Sequence, residues 1–249
     1  MLTEKRYEKI IDMLEEKSVI TVKEVTHVLN SSDATTRRDF KALEKMGKIK
    51  RVHGGAIRVE NSSFINVEED IITKKNIHKE EKDSIGKMAA GLINENDFVY
   101  LDAGTSTETM IKHIKVKNAT FVTNGVYHAL NLSKMGYKVY ILSGETKALT
   151  GSVTGVEAVQ SINKYNFTKG FFGTNGVDIN AGYTTYEDKE AMVKESGLKK
   201  CKRAFILSDS SKFNKIAPIT FGNIEDATII TVGGVNSVFK EKTKIMEAE

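Results

Sequence analysis

Near the start of this chain a helix with a basic outer face runs straight into a basic hairpin, and that junction restricts the N-terminal region to very few folds. From Arg37 to Arg58 there are eight lysines and arginines against two acids, a net of +6. Residues 1–36 carry five basic and seven acidic residues, a net of −2, so the whole-chain charge of +4 hides the concentration. On a helical wheel of residues 33–46, Thr36, Phe40 and Leu43 form one apolar stripe at i, i+4, i+7. Ala34, Arg38, Lys41 and Lys45 lie opposite, with Thr35 and Arg37 on the borders. A face of small and basic residues fits a major groove, where arginine matches guanine acceptors and lysine meets phosphate. Residues 48–56 form the expected wing, with Arg51 or His53 near the DNA backbone or minor groove.

Two amphipathic helices are expected upstream, one presenting Tyr7, Ile10, Ile11 and Leu14, the next Val22, Val25, Val28 and Leu29. Thr21 and Glu24 have the spacing of a capping box. Ser32, after the turn at Asn30 and Ser31, is placed to cap the basic helix. Two helices joined by so short a polar turn make a helix-turn-helix. The expected DNA-facing set is Ser32, Ala34, Thr35, Arg37, Arg38, Lys41, Lys45, Arg51 and His53. The run Arg37-Arg38-Asp39-Phe40, then Leu43, then Gly47-x-Ile49-x-Arg51-Val52-His53-Gly54-Gly55-Ala56 resembles the N-terminal signature of the DeoR family of bacterial sugar-metabolism regulators. The chain departs from that family at Ser31, Thr36 and Phe40, where an aliphatic residue, isoleucine and leucine are usual. These are packing positions, so the departures imply a less stable domain rather than altered DNA contact.

A length of 249 residues suggests two domains at a prior of about 150 residues each. The expected division is a winged helix-turn-helix over 1–57, a polar connection over 58–78 whose later part is helical, and a ligand-binding domain over 79–249. Cys201, the lone cysteine, excludes an internal disulfide and fits a reducing compartment. The charged N-terminus lacks the apolar core of a signal peptide, and no run approaches the ~18 apolar residues of a membrane span. The expectation is a cytoplasmic protein with no membrane partner. Ile85, Met88, Ala89 and Leu92 mark a helix, and short β-branched or apolar runs follow at 98–101, 120–122, 138–142, 170–172, 204–207 and 228–232. Alternating strand and helix patterns imply an α/β domain with a mostly parallel sheet covered on both faces.

Small hydroxylic, amide and glycine residues collect where those strands end, the position at which open α/β sheets bind ligands. Gly104 opens the backbone to an anion, Thr105, Ser106 and Thr107 offer hydroxyls, and the following helix start offers free N–H groups, which together imply a phosphate. Asp102, Thr123, Asn124 and Asp209 suit sugar hydroxyls, and Lys194 or Lys212 would neutralise charge. The set Asp102-x-Gly104-Thr105-Ser106, Val122-Thr123-Asn124, the glycines from Gly173 to Gly182, Glu190-Ala191-x-x-Lys194 and Asp209-x-Ser211-Lys212 also resembles the C-terminal domain of the DeoR family. That resemblance implies a sugar-phosphate-binding domain related in fold to ribose-5-phosphate isomerase and the CoA transferases. Lys74 stands where the family usually has arginine, and Gly144-Glu145 where it usually has two glycines.

Other chemistries find no support in the spacing. The five histidines have no metal-ligand pattern, so no metal site is expected. There is no Walker A sequence and no G-x-G-x-x-G, so no nucleotide cofactor is expected. Two functional classes remain. One is a repressor of a sugar-utilisation operon, released from operator DNA by a phosphorylated sugar, with a ketose phosphate such as fructose 1-phosphate expected from the family resemblance. The other is a sugar-phosphate isomerase, for which Asp102, Asp178, Glu187 and Lys194 offer a base and its partner without a motif that fixes a pair. The regulator is favoured, not an enzyme. It is expected to work as a homodimer or homotetramer, because one winged helix reads too few base pairs for specificity.

Overall fold

A computed structural model describes residues 3–46, 48–58 and 64–249, so Gly47 of the signature and residues 59–63 of the expected connection lie outside the described residues. The chain divides into two compact units, Met1–Ser62 and Ser63–Glu249.

The smaller unit runs α1 (Thr3–Lys17), β1 (Val19–Thr21), α2 (Val22–Leu29), α3 (Asp33–Lys45), β2 (Ile49–Val52) and β3 (Gly55–Arg58). Ile10, Leu14, Val25, Leu29, Phe40 and Leu43 form its core. Val28, expected inside, is 57% exposed, because Val22, Val25 and Leu29 already fill the single inward face of so short a helix. The strand β1 has no counterpart in the sequence reading. It joins the wing in a three-stranded antiparallel sheet ordered β1-β3-β2. Gly55 makes that pairing possible, since a Cβ there would stand 2.2 Å from Ile20 O. Thr21 and Glu24 form the capping box, with Glu24 N donating to Thr21 Oγ1 at 3.2 Å and Thr21 N to Glu24 Oε2 at 2.8 Å. Arg6 forks onto the buried Asp39, Nε to Oδ2 at 2.8 Å and Nη2 to Oδ1 at 2.9 Å, which fastens α1 to α3.

The departures at Ser31 and Thr36 are chemically linked. Thr36 is fully buried, and its hydroxyl lies 2.9 Å from Ser31 Oγ and 3.2 Å from Thr26 Oγ1. A buried hydroxyl with partners avoids most of the desolvation cost that an orphaned one incurs. The expected loss of stability is therefore offset by this triad.

The larger unit continues with α4 (Ile71–Asn76), α5 (Lys79–Ala90), β4 (Phe98–Leu101), α6 (Thr105–Ile111), β5 (Thr120–Thr123), α7 (Val126–Lys134), β6 (Lys138–Ile141), the hairpin β7 (Glu145–Lys147) and β8 (Ser152–Thr154), and α8 (Val156–Ile162). It closes with β9 (Lys169–Gly173), β10 (Gly176–Asp178), β11 (Gly182–Thr185), α9 (Asp188–Lys199), β12 (Ala204–Leu207), β13 (Ile219–Gly222), β14 (Thr228–Val232), α10 (Ser237–Lys242) and β15 (Ile245–Ala248). Seven strands form one parallel sheet in the order β15-β14-β12-β9-β4-β5-β6. The two-residue period of the strands splits the core. Leu101, Phe171, Phe205 and Ile230 pack on one face with Ile85 and Ala89 of α5, while Tyr100, Phe172, Ile206 and Ile229 pack on the other with Val193 of α9. An antiparallel sheet β10-β11-β13 lies outside the main one. The expected strand at 138–142 is the sheet's edge, with Tyr140 and Ile141 at 40% and 47% exposure. Cys201 donates from Sγ to Gly197 O at 3.1 Å, and burial pushes its thiol pKa up to about 12.

Residues 64–78, expected as connection, belong to the larger unit. Phe64 bridges Ile216, Ile65 N donates to Ile216 O at 2.9 Å, and α4 occupies 71–76 within the expected helical stretch.

The hydroxyl triad predicts a measurable coupling. Thr36→Val should cost about 1 kcal/mol of stability, and adding Ser31→Ala should cost clearly less than its own single-mutant value. Chemical denaturation of the four proteins checks this; strict additivity would mean that the hydroxyls act independently.

Candidate functional site

In the smaller unit α3 exposes Ala34, Arg37, Arg38, Lys41 and Lys45, with Thr35 half-buried, and the wing exposes Arg51 and His53. Arg37, Arg38, Lys41 and Lys45 form no ion pair with a described residue, so their charge is available to an outside partner. Two of the expected contact groups are otherwise engaged. The Ser32 hydroxyl caps α3, accepting from Thr35 N at 3.2 Å. Arg51 donates from Nε to Glu44 Oε2 at 2.6 Å and from its backbone N–H to Glu44 Oε1 at 3.0 Å. Those bonds hold the Glu44 carboxyl below its usual range and tie the wing to α3, so Arg51 orients the hairpin.

In the larger unit a pocket opens where β4, β5, β9 and β12 end, the ligand side of an open parallel sheet. Asp102, which follows β4, is 1% exposed. Its Oδ2 accepts from Gly173 N at 3.1 Å and from the ammonium of Lys194 on α9, whose Nζ also donates to Gly173 O at 3.1 Å. Its Oδ1 is buried without a hydrogen-bond partner. Burial raises the Asp102 pKa above the usual carboxylate range, against the opposing pull of Lys194. Asn124 joins two strand ends, accepting from Ala103 N at 2.7 Å and donating to Val153 O at 3.3 Å.

The pocket also takes in Gly104, Thr105, Ser106, Asp209 and Lys212. Gly104 is extended, with φ 171°, and a Cβ there would make only an ordinary contact at 3.4 Å with Thr107 Oγ1. Its backbone conformation does not demand glycine; the missing side chain leaves room over the loop. Lys212 has no ion-pair partner among the described residues. Asp209 accepts from Ser211 N at 3.1 Å.

Thr107 and Thr123, expected at the ligand, do not line the pocket; both are fully buried. Thr107 Oγ1 lies 2.6 Å from Asp102 O, 2.9 Å from Gly104 O and 3.0 Å from His128 Nε2. Thr123 Oγ1 donates to Leu101 O at 2.5 Å and accepts from Gly125 N at 3.0 Å. Both hydroxyls close strand-end backbone turns instead.

Several pocket residues lie outside the set that the sequence assigned to the ligand, although Thr174 and Asn175 stand at one of its strand ends. Thr174, Asn175 and Ser152 line it from neighbouring loops. Lys82, 5% exposed, donates to Lys74 O at 2.5 Å and Ile77 O at 2.8 Å, the carbonyls that end α4. Burial lowers its pKa while Asp209 pulls it up. Its signal was present: Lys82 stands three residues before Ile85, on the apolar stripe of α5. Glu68 accepts from Lys74 at 2.6 Å and Lys147 at 2.5 Å, and Lys147 reaches Glu187 at 3.0 Å and Glu190 at 3.1 Å. Burial pulls the Lys147 pKa down, but the three carboxylates outweigh it and hold it raised.

Of the groups considered for isomerase chemistry, Asp102 and Lys194 neutralise each other, Glu187 serves Lys147, and Asp178 closes a turn by accepting from Asn180 N at 2.8 Å and Ala181 N at 2.9 Å. His78, Glu81 and Asp209 bring ligand-type atoms within 4.8 Å of one another. Glu81 is already engaged by Ser210 N at 2.8 Å, Ser210 Oγ at 3.1 Å and His78 Nδ1 at 2.9 Å, so the group braces the turn that carries Lys212.

The profile of the DeoR-like helix-turn-helix domain matches residues 6–62, and that of the DeoR C terminal sensor domain matches residues 77–233. The chain belongs to the DeoR family. It is 40% identical over 249 residues, 98% of each chain, to the HTH-type transcriptional regulator FruR of Bacillus subtilis. Over 220 residues, 86% of this chain and 85% of the other, it is 34% identical to the lactose phosphotransferase system repressor of Lactococcus lactis. A ribose 5-phosphate isomerase A from Methanocaldococcus jannaschii overlays 54% of each chain with TM-score 0.41 and 11% identity, too distant to carry chemistry across. This DeoR-family chain is a transcriptional regulator and not an enzyme. No helix among its described residues is long and apolar enough to cross a membrane.

His128 supplies a pH test of the strand-end packing. It is buried, and desolvation lowers its pKa to about 3, so the folded protein holds it neutral. As pH falls below about 6.5 the unfolded chain takes up the proton first, so its contribution to stability is complete above that value and lost progressively towards 3. Wild type should lose about 2 kcal/mol from this group between pH 7 and pH 5, and His128→Leu should show a flatter profile. Equal slopes in denaturation at both pH values would mean that His128 is protonated in the fold.

Proposed function

We propose that this regulator is a cytoplasmic repressor of sugar-utilisation genes whose larger unit binds a phosphorylated sugar and thereby lowers affinity for operator DNA. The observation that carries the reading is the pairing, in one pocket, of the unpaired Lys212 and the partly satisfied Lys82 with a buried Asp102 oxygen that has no protein partner. The lysines suit an anion, and a buried lone carboxylate oxygen suits a hydroxyl donor; a sugar phosphate has both. Thr105 and Ser106 add hydroxyls and first-turn N–H groups on the phosphate side, while Asn124, Thr174 and Asn175 supply amide and hydroxyl groups for the sugar. The names of relatives agree, because lactose phosphotransferase system repressors of Lactococcus lactis and Streptococcus mutans are among them. A ketose phosphate such as fructose 1-phosphate is the first candidate.

On the DNA side, Ala34, Arg37, Arg38, Lys41 and Lys45 of α3 read the major groove, and His53, on a wing set by Arg51, meets the backbone or minor groove. Two copies, paired through the larger unit, read two half-sites.

Arg37→Ala and Arg38→Ala should each weaken binding to a selected DNA duplex by about 1–3 kcal/mol, and Lys45→Ala should mainly reduce the salt slope. A folded double variant that binds as tightly as wild type would remove α3 as the reading helix.

A sugar phosphate at 100 times its Kd should stabilise wild type by roughly 2.7 kcal/mol, and Lys212→Met should abolish that gain while DNA affinity stays within about threefold. Thermal shifts against a panel of phosphorylated sugars measure it. Stabilisation that survives in Lys212→Met moves the phosphate elsewhere, and none with any sugar phosphate removes the sensor reading.

A further inference from the structure

Residues 64–77 are the first stretch of the larger unit, and the chain reaches them directly from β3 of the DNA-binding unit through residues 59–63. Glu68, Glu69, Ile71, Lys74 and Ile77 of this strap line the pocket. None of its residues is buried, and Val67 and Ile72 are 80% and 70% exposed. The strap therefore gains little from apolar burial and is held by polar pins. They include Ile65 N to Ile216 O at 2.9 Å, Ile71 N to Leu149 O at 3.4 Å, Glu68 to Lys147 at 2.5 Å, Lys75 to Glu108 at 2.8 Å, and the Lys82 ammonium on the carbonyls of Lys74 and Ile77. An element with few buried contacts moves at low free-energy cost.

One of the pins, Lys82, and a partner of the pinned Glu68, Lys74, are also pocket groups. Lys74 pairs with Glu68 at 2.6 Å and faces the same space as Lys82 and Lys212. An anion entering there offers Lys74 and Lys82 a partner that competes with Glu68 and with the carbonyls ending α4. Occupancy thus competes with strap attachment directly at Lys82, and at Lys74 it leaves Glu68 held by Lys147 alone, which is the differential interaction that any ligand-driven shift requires.

We infer that the strap is the transmitter of this regulator: an anion in the pocket exchanges the partners of Lys74 and Lys82, loosens the strap at Glu68, and so lowers DNA affinity. The inference rests on the reading of the pocket as a ligand site. Its central residue is Glu68, a positioning residue that acts through Lys74 and Lys147. In the pinned state the DNA-binding unit is held competent; unpinning alone reproduces the effect of the ligand.

The test needs no ligand. Full-length Glu68→Gln keeps the side-chain shape and removes the charge. Hydrogen exchange of residues 64–77 should accelerate at least fivefold, and Kd for a duplex selected by wild type from a random pool should rise at least fivefold. Glu145→Gln, which removes an exposed pair with Lys189 at 2.6 Å, should leave both readouts within twofold. Faster strap exchange with unchanged Kd would overturn the transmitter role, and unchanged exchange would overturn the pin. Should Glu68→Gln fail to fold, Lys147→Gln opens the same pin from the other side and is read in the same way. Wild type that no phosphorylated sugar stabilises would sink the ligand reading, while the strap result would still stand on its own.

Discussion

A carboxylate and an ammonium buried against each other at the carboxyl edge of the sheet govern the geometry of the larger unit. Removing two charges from water costs several kcal/mol per ion, and their attraction offsets that only when the remaining polar atoms are bonded. Asp102 and Lys194 meet the condition in part by sharing one backbone residue, since Gly173 N–H serves the carboxylate and Gly173 C=O serves the ammonium. The arrangement ties the end of β4 to the end of β9 and both to α9. It also positions Glu190, one helical turn before Lys194, on the same side of α9, where it accepts from Thr185 Oγ1 at 3.1 Å and reaches Lys147. What remains unsatisfied is a single Asp102 oxygen. That open acceptor belongs to a residue that lines the pocket.

The parallel sheet was legible because its central strands are buried on both faces, so their apolar runs stand out without any alternation. β15, with the sequence Ile-Met-Glu-Ala, and the short β10, β11 and β13 carry no such run and were missed. At the strand ends the sequence shows which residues can bond but not toward what. Thr105 and Thr107 read alike, yet Thr107 turns inward to Asp102 O and His128 whereas Thr105 borders the pocket. Glu68 was not singled out, since Lys74 six residues on reads as an ordinary surface charge and its other partner, Lys147, is 79 residues away. Lys82 was visible in principle as a charge on an apolar stripe, and periodicity alone gives no weight to such an interruption.

In the smaller unit the family signature located the helices and the wing, but not the contacts that stiffen them. Ser31 and Thr36 looked like two separate losses of apolar packing and are one hydroxyl cluster with Thr26. Arg51, expected near DNA, is also bound through Nε and its backbone N–H to Glu44, so the wing is oriented in the free protein. Holding the recognition surface in one arrangement reduces the ordering entropy that binding must overcome.

The burial of Cys201 has a practical side. The thiolate, not the thiol, reacts with electrophiles, and a thiol whose pKa is pushed up to about 12 is almost wholly protonated at neutral pH. The half-buried native thiol is therefore a slower target for maleimides than a thiol at the surface. A single cysteine placed on the exposed wing or on the exposed Ile72 of the strap would take a fluorophore selectively, without first altering the packing around Gly197 and Gly170 that the native sulfur fills.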